Sequence, residues 1–279
     1  MKLKKFLSII LALVLLLSLA ACGAKDDADT DKPSDNKDAA KAPMHYTALV
    51  EKNKVSKKFK TEDGSVYFKI DFCLPHFDTE DENVIEASTL IMNAAFEDIL
   101  NESIEFAENN VSEVLAARER QDNKKLYWER TCNFTVTGES EDFISFLLEF
   151  SYSTMSGENA SVYHEALVFN LKNGMQMLLP DFSTLEEFRV RSRFATKVCN
   201  DIANFVTPDN EEPRYFENIT EAYLFDLVSP ANFYLSPEGV TVYFDRGIVS
   251  PDYRGTAFFT YSFEEAREIL DLLPAEVVA

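Results

Sequence analysis

The chain has 279 residues, 46% of them apolar, and sets 27 Lys and Arg against 48 Asp and Glu for a formal charge of −21. That apolar content can bury a full core and excludes a disordered or fibrous chain. The acidity argues against direct nucleic-acid binding, which needs a basic footprint to neutralise phosphates, and suits a basic partner or plain solubility.

Lys2, Lys4 and Lys5 precede an almost wholly apolar run at residues 6–19, and Leu19-Ala20-Ala21-Cys22 ends in small residues before a cysteine. The run is shorter than the ~20 residues that cross a bilayer comfortably, so it predicts a cleaved export signal over residues 1–21 rather than a span. Cys22 is the expected lipid attachment site, and the body is expected outside the cytoplasm, anchored to the cell membrane. Residues 22–45 are rich in Asp, Lys, Ala, Ser and Asn and predict an acidic spacer that cannot bury enough surface to order itself. Asp27, Asp29 and Asp31 alternate as calcium ligands do, but Lys32 stands where such a loop needs glycine. Two α+β regions are expected after the spacer, residues 46–172 and 173–279.

In the body, Val66, Phe68, Ile70 and Phe72 alternate with Tyr67, Lys69 and Asp71, the period of a half-buried strand, which Pro75 should end. Thr79 and Glu82 form a capping-box pattern for a long helix with a core stripe at Ile85, Ser88, Met92, Phe96 and Ile99. A break is expected near Asn109-Asn110 and an end near Arg120. Three strands over residues 126–137, 143–154 and 161–171 predict an antiparallel meander, and Asn173-Gly174 a turn into a short strand at 175–178. Ser183 and Thr184, each three residues before a glutamate, predict the start of a second helix with Leu185, Phe188, Val198, Ile202 and Phe205 on its core face. An acidic loop at 208–213, a short helical segment within 216–227, a hairpin turning at Ser236-Pro237-Glu238-Gly239, a strand at 256–261 and a helix capped by Ser262 and Glu265 through Leu273 complete the pattern. The fold class expected is α+β, with antiparallel sheets packed on a few amphipathic helices.

Cys73, Cys132 and Cys199 are an odd set in apolar segments; buried thiols are the default, and one disulfide among three pairings stays open. His45, His76 and His164 have no zinc-site spacing, and no nucleophile elbow, zincin helix, Walker loop or dinucleotide fingerprint occurs. No metal, cofactor or catalytic residue is therefore expected.

The stretch NFYLSPEGVTVYFDRGIVSPDYRGTAFFTYSFEEAREIL, residues 232–270, resembles the extracellular domain of RsiV-type anti-sigma factors, bacterial proteins that sense lysozyme by binding it. The match lies in the hairpin, Val249-Ser250-Pro251 and the Gly255 turn. The strand-to-helix junctions near residues 67–99 and 174–182 are similar to the rest of that domain, including the part shared with PdaC-type peptidoglycan deacetylases. One departure is Arg246-Gly247, where the family usually carries Tyr-Glu. The resemblance implies a lysozyme-binding face that includes Pro251, Asp252, Tyr253 and Arg254, with Pro251 and Tyr253 foremost. It also implies lysozyme or another basic envelope protein as partner; a peptidoglycan-associated accessory module is the alternative, and a glycan-processing enzyme a more distant one. Only residues 1–5 precede the apolar run, so the sensing half is expected without a sigma-holding segment.

Overall fold

The computed structural model describes residues 46–78, 85–206 and 212–278. Cys22, the export signal, the spacer, the Thr79–Glu82 capping pattern and most of the 208–213 loop lie outside these residues. Contacts gather residues 42–279 into one compact unit. Among the described residues no helix is long and apolar enough to cross a membrane.

The fold is α+β: among the described residues there are a curled sheet of six strands, a second sheet of three, and five helices. The large sheet runs in chain order, β1 (Val50–Lys60), β2 (Val66–Phe77), β3 (Trp128–Glu139), β4 (Phe143–Ser153), β5 (Ser161–Asn170) and β6 (Gln176–Met177). β3, β4 and β5 form the expected antiparallel meander. β2 and β3, however, pair in parallel, a departure from purely antiparallel sheets. Its cause is the connection: α1 (Glu86–Asn109) and α2 (Val111–Arg120) lie between them, and a crossover of this kind returns the chain in the same direction. The break at Asn110 falls where the sequence places it.

β2 also runs through Pro75 instead of ending there. Its pairing with β3 stops at Phe72, so beyond that point one side of β2 requires no ladder donor and proline is tolerated. The strand's end is fixed from above. Asn93 of α1 donates to the Phe77 carbonyl at 2.8 Å and accepts from the Phe77 N–H at 2.9 Å, so one buried amide satisfies both backbone groups. On this face Phe96 meets Phe146 and Phe169 edge-on at 5.4 and 5.6 Å. Each buried phenylalanine contributes roughly 1.5–3 kcal/mol, and edge-to-face pairs somewhat more. Ser88, Met92 and Phe96 are buried as the stripe predicts, whereas Ile85 is 42% exposed at the helix start.

The second core lies between α3 (Glu187–Asn204), α4 (Glu221–Leu227), α5 (Phe263–Ala266) and the sheet of β7 (Phe233–Ser236), β8 (Gly239–Phe244) and β9 (Ala257–Tyr261). The buried face of α3 is Val190, Phe194, Ala195 and Val198; Phe188 and Phe205, expected inside, are 53% and 39% exposed. Ser183 and Thr184 do not cap this helix. Ser183 donates to the Ile269 carbonyl at 2.6 Å, and Thr184 donates from N–H and hydroxyl to Asp271 at 2.7 and 2.6 Å, fastening the C-terminal segment. The Ser262–Glu265 capping box forms as expected, but α5 stops at Ala266. The chain turns away because Leu270 and Leu273 enter the core and the Leu272 N–H donates to the Phe182 carbonyl.

The small sheet packs against β3, β4 and β5 through β7. The Leu235 N–H donates to Ser145 Oγ at 3.1 Å, and the Ala166 N–H to the Tyr243 hydroxyl at 3.0 Å. Gly138 permits this approach: a Cβ there would lie 2.7 Å from Val277 and 3.0 Å from the Leu235 carbonyl.

Candidate functional site

Between β8 and β9 the chain leaves the small sheet for one loop. Val249 and Ser250 are buried and anchor it. The Val249 carbonyl accepts from the Phe216 N–H at 3.0 Å, and the Ile248 carbonyl from the Tyr223 hydroxyl at 3.2 Å. Pro251, φ −55°, starts a single 3-10 turn over Asp252–Arg254, closed by the Arg254 N–H on the Pro251 carbonyl at 2.9 Å. The ring presets the backbone angle the turn needs.

All four residues singled out in the sequence share this turn. Pro251 is half-buried, while Asp252, Tyr253 and Arg254 are exposed, Tyr253 by 66%. Their polar ends are occupied within the protein. Arg246 grips Asp252 with two nitrogens, Nε to Oδ1 at 2.7 Å and Nη2 to Oδ2, the fork geometry of a bidentate guanidinium–carboxylate pair. The departure Arg246-Gly247 thus supplies an internal clamp for the loop. Arg246 holds the Asp252 carboxyl below the usual carboxylate range. The Tyr253 hydroxyl donates to Glu212 Oε2, which raises its pKa because only the phenol can donate, and Arg254 donates to the Glu212 carbonyl at 3.0 Å. The Arg254 guanidinium lies 5.5 Å from the Tyr253 ring centroid, and the residue remains two-thirds exposed.

Glu212 also joins the loop to a neighbouring cleft of about 290 Å³, lined by residues including Phe205, Pro213, Arg214, Tyr215 and Phe216. The Arg214 guanidinium lies 5.5 and 5.7 Å from the Phe205 and Tyr215 rings. With Phe216 and Tyr223, 41% and 43% exposed, the region is rich in aromatics and arginine, the composition of interface hot spots. Sequence reasoning found the loop but missed Glu212, Arg214, Phe216 and Tyr223. They lie roughly thirty to forty residues before Tyr253 and share no spacing with the loop.

At the loop's far end Thr256 Oγ1 lies 2.9 Å from His164 Nδ1, and His164 Nε2 lies 3.6 Å from Glu149. The Phe258 ring packs edge-on against the imidazole, and Asp245 acts on it electrostatically. Burial is the main influence and lowers the His164 pKa. This cluster fastens the loop to the large sheet and does not line the cleft beside Arg214. Among the described residues no group of three His, Cys, Asp or Glu could hold a metal. Cys73, Cys132 and Cys199 are free thiols. Phe72, not Cys73, stands opposite Cys132, so the two thiols project from opposite sheet faces, and burial pushes Cys132 up to about 12.

No protein-family model and no curated protein matches the chain. Among solved structures, a member of the DUF3298 family from Bacteroides fragilis NCTC 9343 aligns with 79% of this chain and 92% of its own, at 14% identity and TM-score 0.52. A DUF3298 protein from Pseudomonas aeruginosa PAO1 aligns with 81% and 98%, at 14% identity and TM-score 0.43. At this identity the likeness to the first establishes the fold alone.

Proposed function

We propose that this chain is an extracytoplasmic binding protein, anchored through lipid on Cys22, that takes lysozyme or another basic envelope protein at the 251–254 loop and performs no catalysis of its own. The observation that carries the reading is the Tyr253 ring, two-thirds exposed on a turn whose charges are all held internally. Loops on a rigid sheet serve recognition, and a preorganised aromatic forfeits little entropy on binding. The net charge of −21 suits a basic partner, since complementary fields accelerate encounter. The fold likeness to a DUF3298 member is in keeping with an RsiV-type sensing domain.

Titration with lysozyme tests this. Association should slow with added salt, and Tyr253→Ala should raise the dissociation rate about thirtyfold, the effect of losing a hot spot of about 2 kcal/mol, with less change in the association rate. A folded protein that binds no lysozyme at low ionic strength overturns the lysozyme reading. Sedimentation with purified cell wall then tests the alternative, a peptidoglycan-associated accessory module.

A further inference from the structure

Charge is distributed most unevenly at β1. In a chain of net −21, its eleven residues hold Lys52, Lys54, Lys57, Lys58 and Lys60 against Glu51 alone. The next most basic element, α3, has four cations against two acids and engages most of them: Arg191 and Arg193 donate to backbone carbonyls and Lys197 pairs with Glu265. The five β1 lysines are all exposed, and none joins a salt bridge among the described residues.

Among the described residues β1 is an edge strand with its outer side unpaired, and lysines on an edge discourage strand-to-strand aggregation. That accounts for some of them, but not for Lys69 on the interior strand β2, which the register sets directly opposite Lys58. Like charges facing across a ladder destabilise it. Lys69 has Glu129 beside it on β3, shares its face with Asp71 two residues along, and leans over the Tyr127 ring at 3.6 Å, so the repulsion is tempered. An external anion would relieve it.

We propose that the β1 edge docks on an anionic bilayer through the phosphates of its headgroups. Opposite Pro75, Cys73 and Lys69, the residues Lys52, Lys54 and Lys58 share one sheet face, while Lys57, opposite Ile70, lies on the other. The cations therefore straddle a free edge instead of lining a groove, which suits a plane better than a single threaded polymer. Phe59 is buried and β1 exposes no large apolar side chain, so the contact is adsorption without insertion. Only the turn Tyr46–Leu49 separates β1 from the residues through which the chain would be tethered. The proposal rests on the anchored reading above only for what brings the bilayer near.

The test uses the full chain with vesicles of phosphatidylcholine alone or mixed with phosphatidylglycerol, and a membrane-impermeant amine-acylating reagent read by mass spectrometry. Each engaged lysine contributes about 1 kcal/mol, or about fivefold in partitioning. Acylation of Lys54, Lys58 and Lys69 relative to Lys172 should therefore fall at least fivefold on the anionic vesicles, and recover in about 1 M salt, where the screening length is about 3 Å. Lys54→Gln with Lys58→Gln should weaken partitioning onto those vesicles by about twenty-five-fold. Equal acylation on both vesicle types overturns the proposal, as does protection by soluble polyphosphate but not by phosphatidylglycerol. Flotation with phosphatidylcholine vesicles reports the anchor separately, so its failure is distinguishable from failure of the docking edge.

Discussion

The loop at 246–255 and the strand β1 handle charge in opposite ways. In the loop, Arg246 is matched to Asp252, and Arg254 and Tyr253 are both tied to Glu212; on β1 five lysines have no salt-bridge partner among the described residues. Matched charges cancel at a distance but fix geometry, so what the loop offers is a placed aromatic ring that acts at contact range. Unmatched charges fix no geometry and keep their field, so what β1 offers is attraction over about a Debye length, indifferent to the detail of the partner. Binding at the loop should consequently depend on single residues and β1 docking on charge number.

The sharpest break in this comparison comes from the hairpin that carries the loop. Gly239 has φ +141°, and a Cβ there would lie 1.9 Å from the Tyr261 carbonyl oxygen. Gly239→Val should cost more than about 3 kcal/mol in denaturant unfolding and abolish Tyr253-dependent binding, because strained backbone and displaced β9 act together. Lys54→Gln on β1 should stay within about 0.5 kcal/mol of the parent. Comparable losses from both would mean that β1 is as much a structural element as the loop's scaffold. Tyr253→Ala comes next in size, with its thirtyfold change in dissociation and unchanged stability, since so exposed a ring contributes little to the core.

A smaller effect is expected at His164, between the loop's end and the large sheet. Its pKa is lowered in the fold, chiefly by burial, with Glu149 and Asp245 acting in the opposite sense. A base depressed on folding binds fewer protons when folded than when unfolded. Its neutral form is therefore fully compatible with stability above the ordinary histidine value of about 6.5, and stability is lost as pH falls from there toward the depressed value. Denaturant midpoints should drop as pH falls below about 6.5, with amide exchange rising first near Thr256. His164→Gln should flatten that slope; an unaltered slope assigns the pH effect to other groups.

Much of this architecture is legible in the sequence wherever local chemistry decides. The meander, the helix break at Asn110, the Ser262 cap and the hairpin turn all appear where turn residues and periodicity place them. The failures share one cause, which is tertiary demand. Pro75 stays in its strand because β3 has already departed. Ser183 and Thr184 bind Asp271, eighty-odd residues away, in place of a helix terminus, and the core face of α3 follows Val190 and Phe194 because that is where Tyr261 and its sheet arrive. At the loop the same division holds. Pro251 and Tyr253 announce a turn with an aromatic tip, whereas Glu212, which orients that tip, belongs to an acidic stretch with no local signal to distinguish it.

The finest test of the comparison is the facing pair Lys58 and Lys69. Were β1 shaped for stability alone, neutralising Lys58 should be neutral or harmful, since lysine protects the edge. If the strand instead retains charge for an external anion, removing one of two opposed cations should help the isolated protein. Lys58→Gln is expected to stabilise by about 0.2–0.5 kcal/mol at low ionic strength, the usual scale for a cross-strand like-charge pair, and Glu129 beside Lys69 keeps the gain at the lower end. The gain should vanish in about 1 M salt, where both charges are screened. Denaturant unfolding of parent, Lys58→Gln, Lys69→Gln and the double variant measures it as a coupling energy. A coupling of zero at low salt would show that the two ammonium groups already avoid each other, Lys69 over Tyr127 and Lys58 toward solvent. The case for an anion would then rest on the number of lysines along β1 alone.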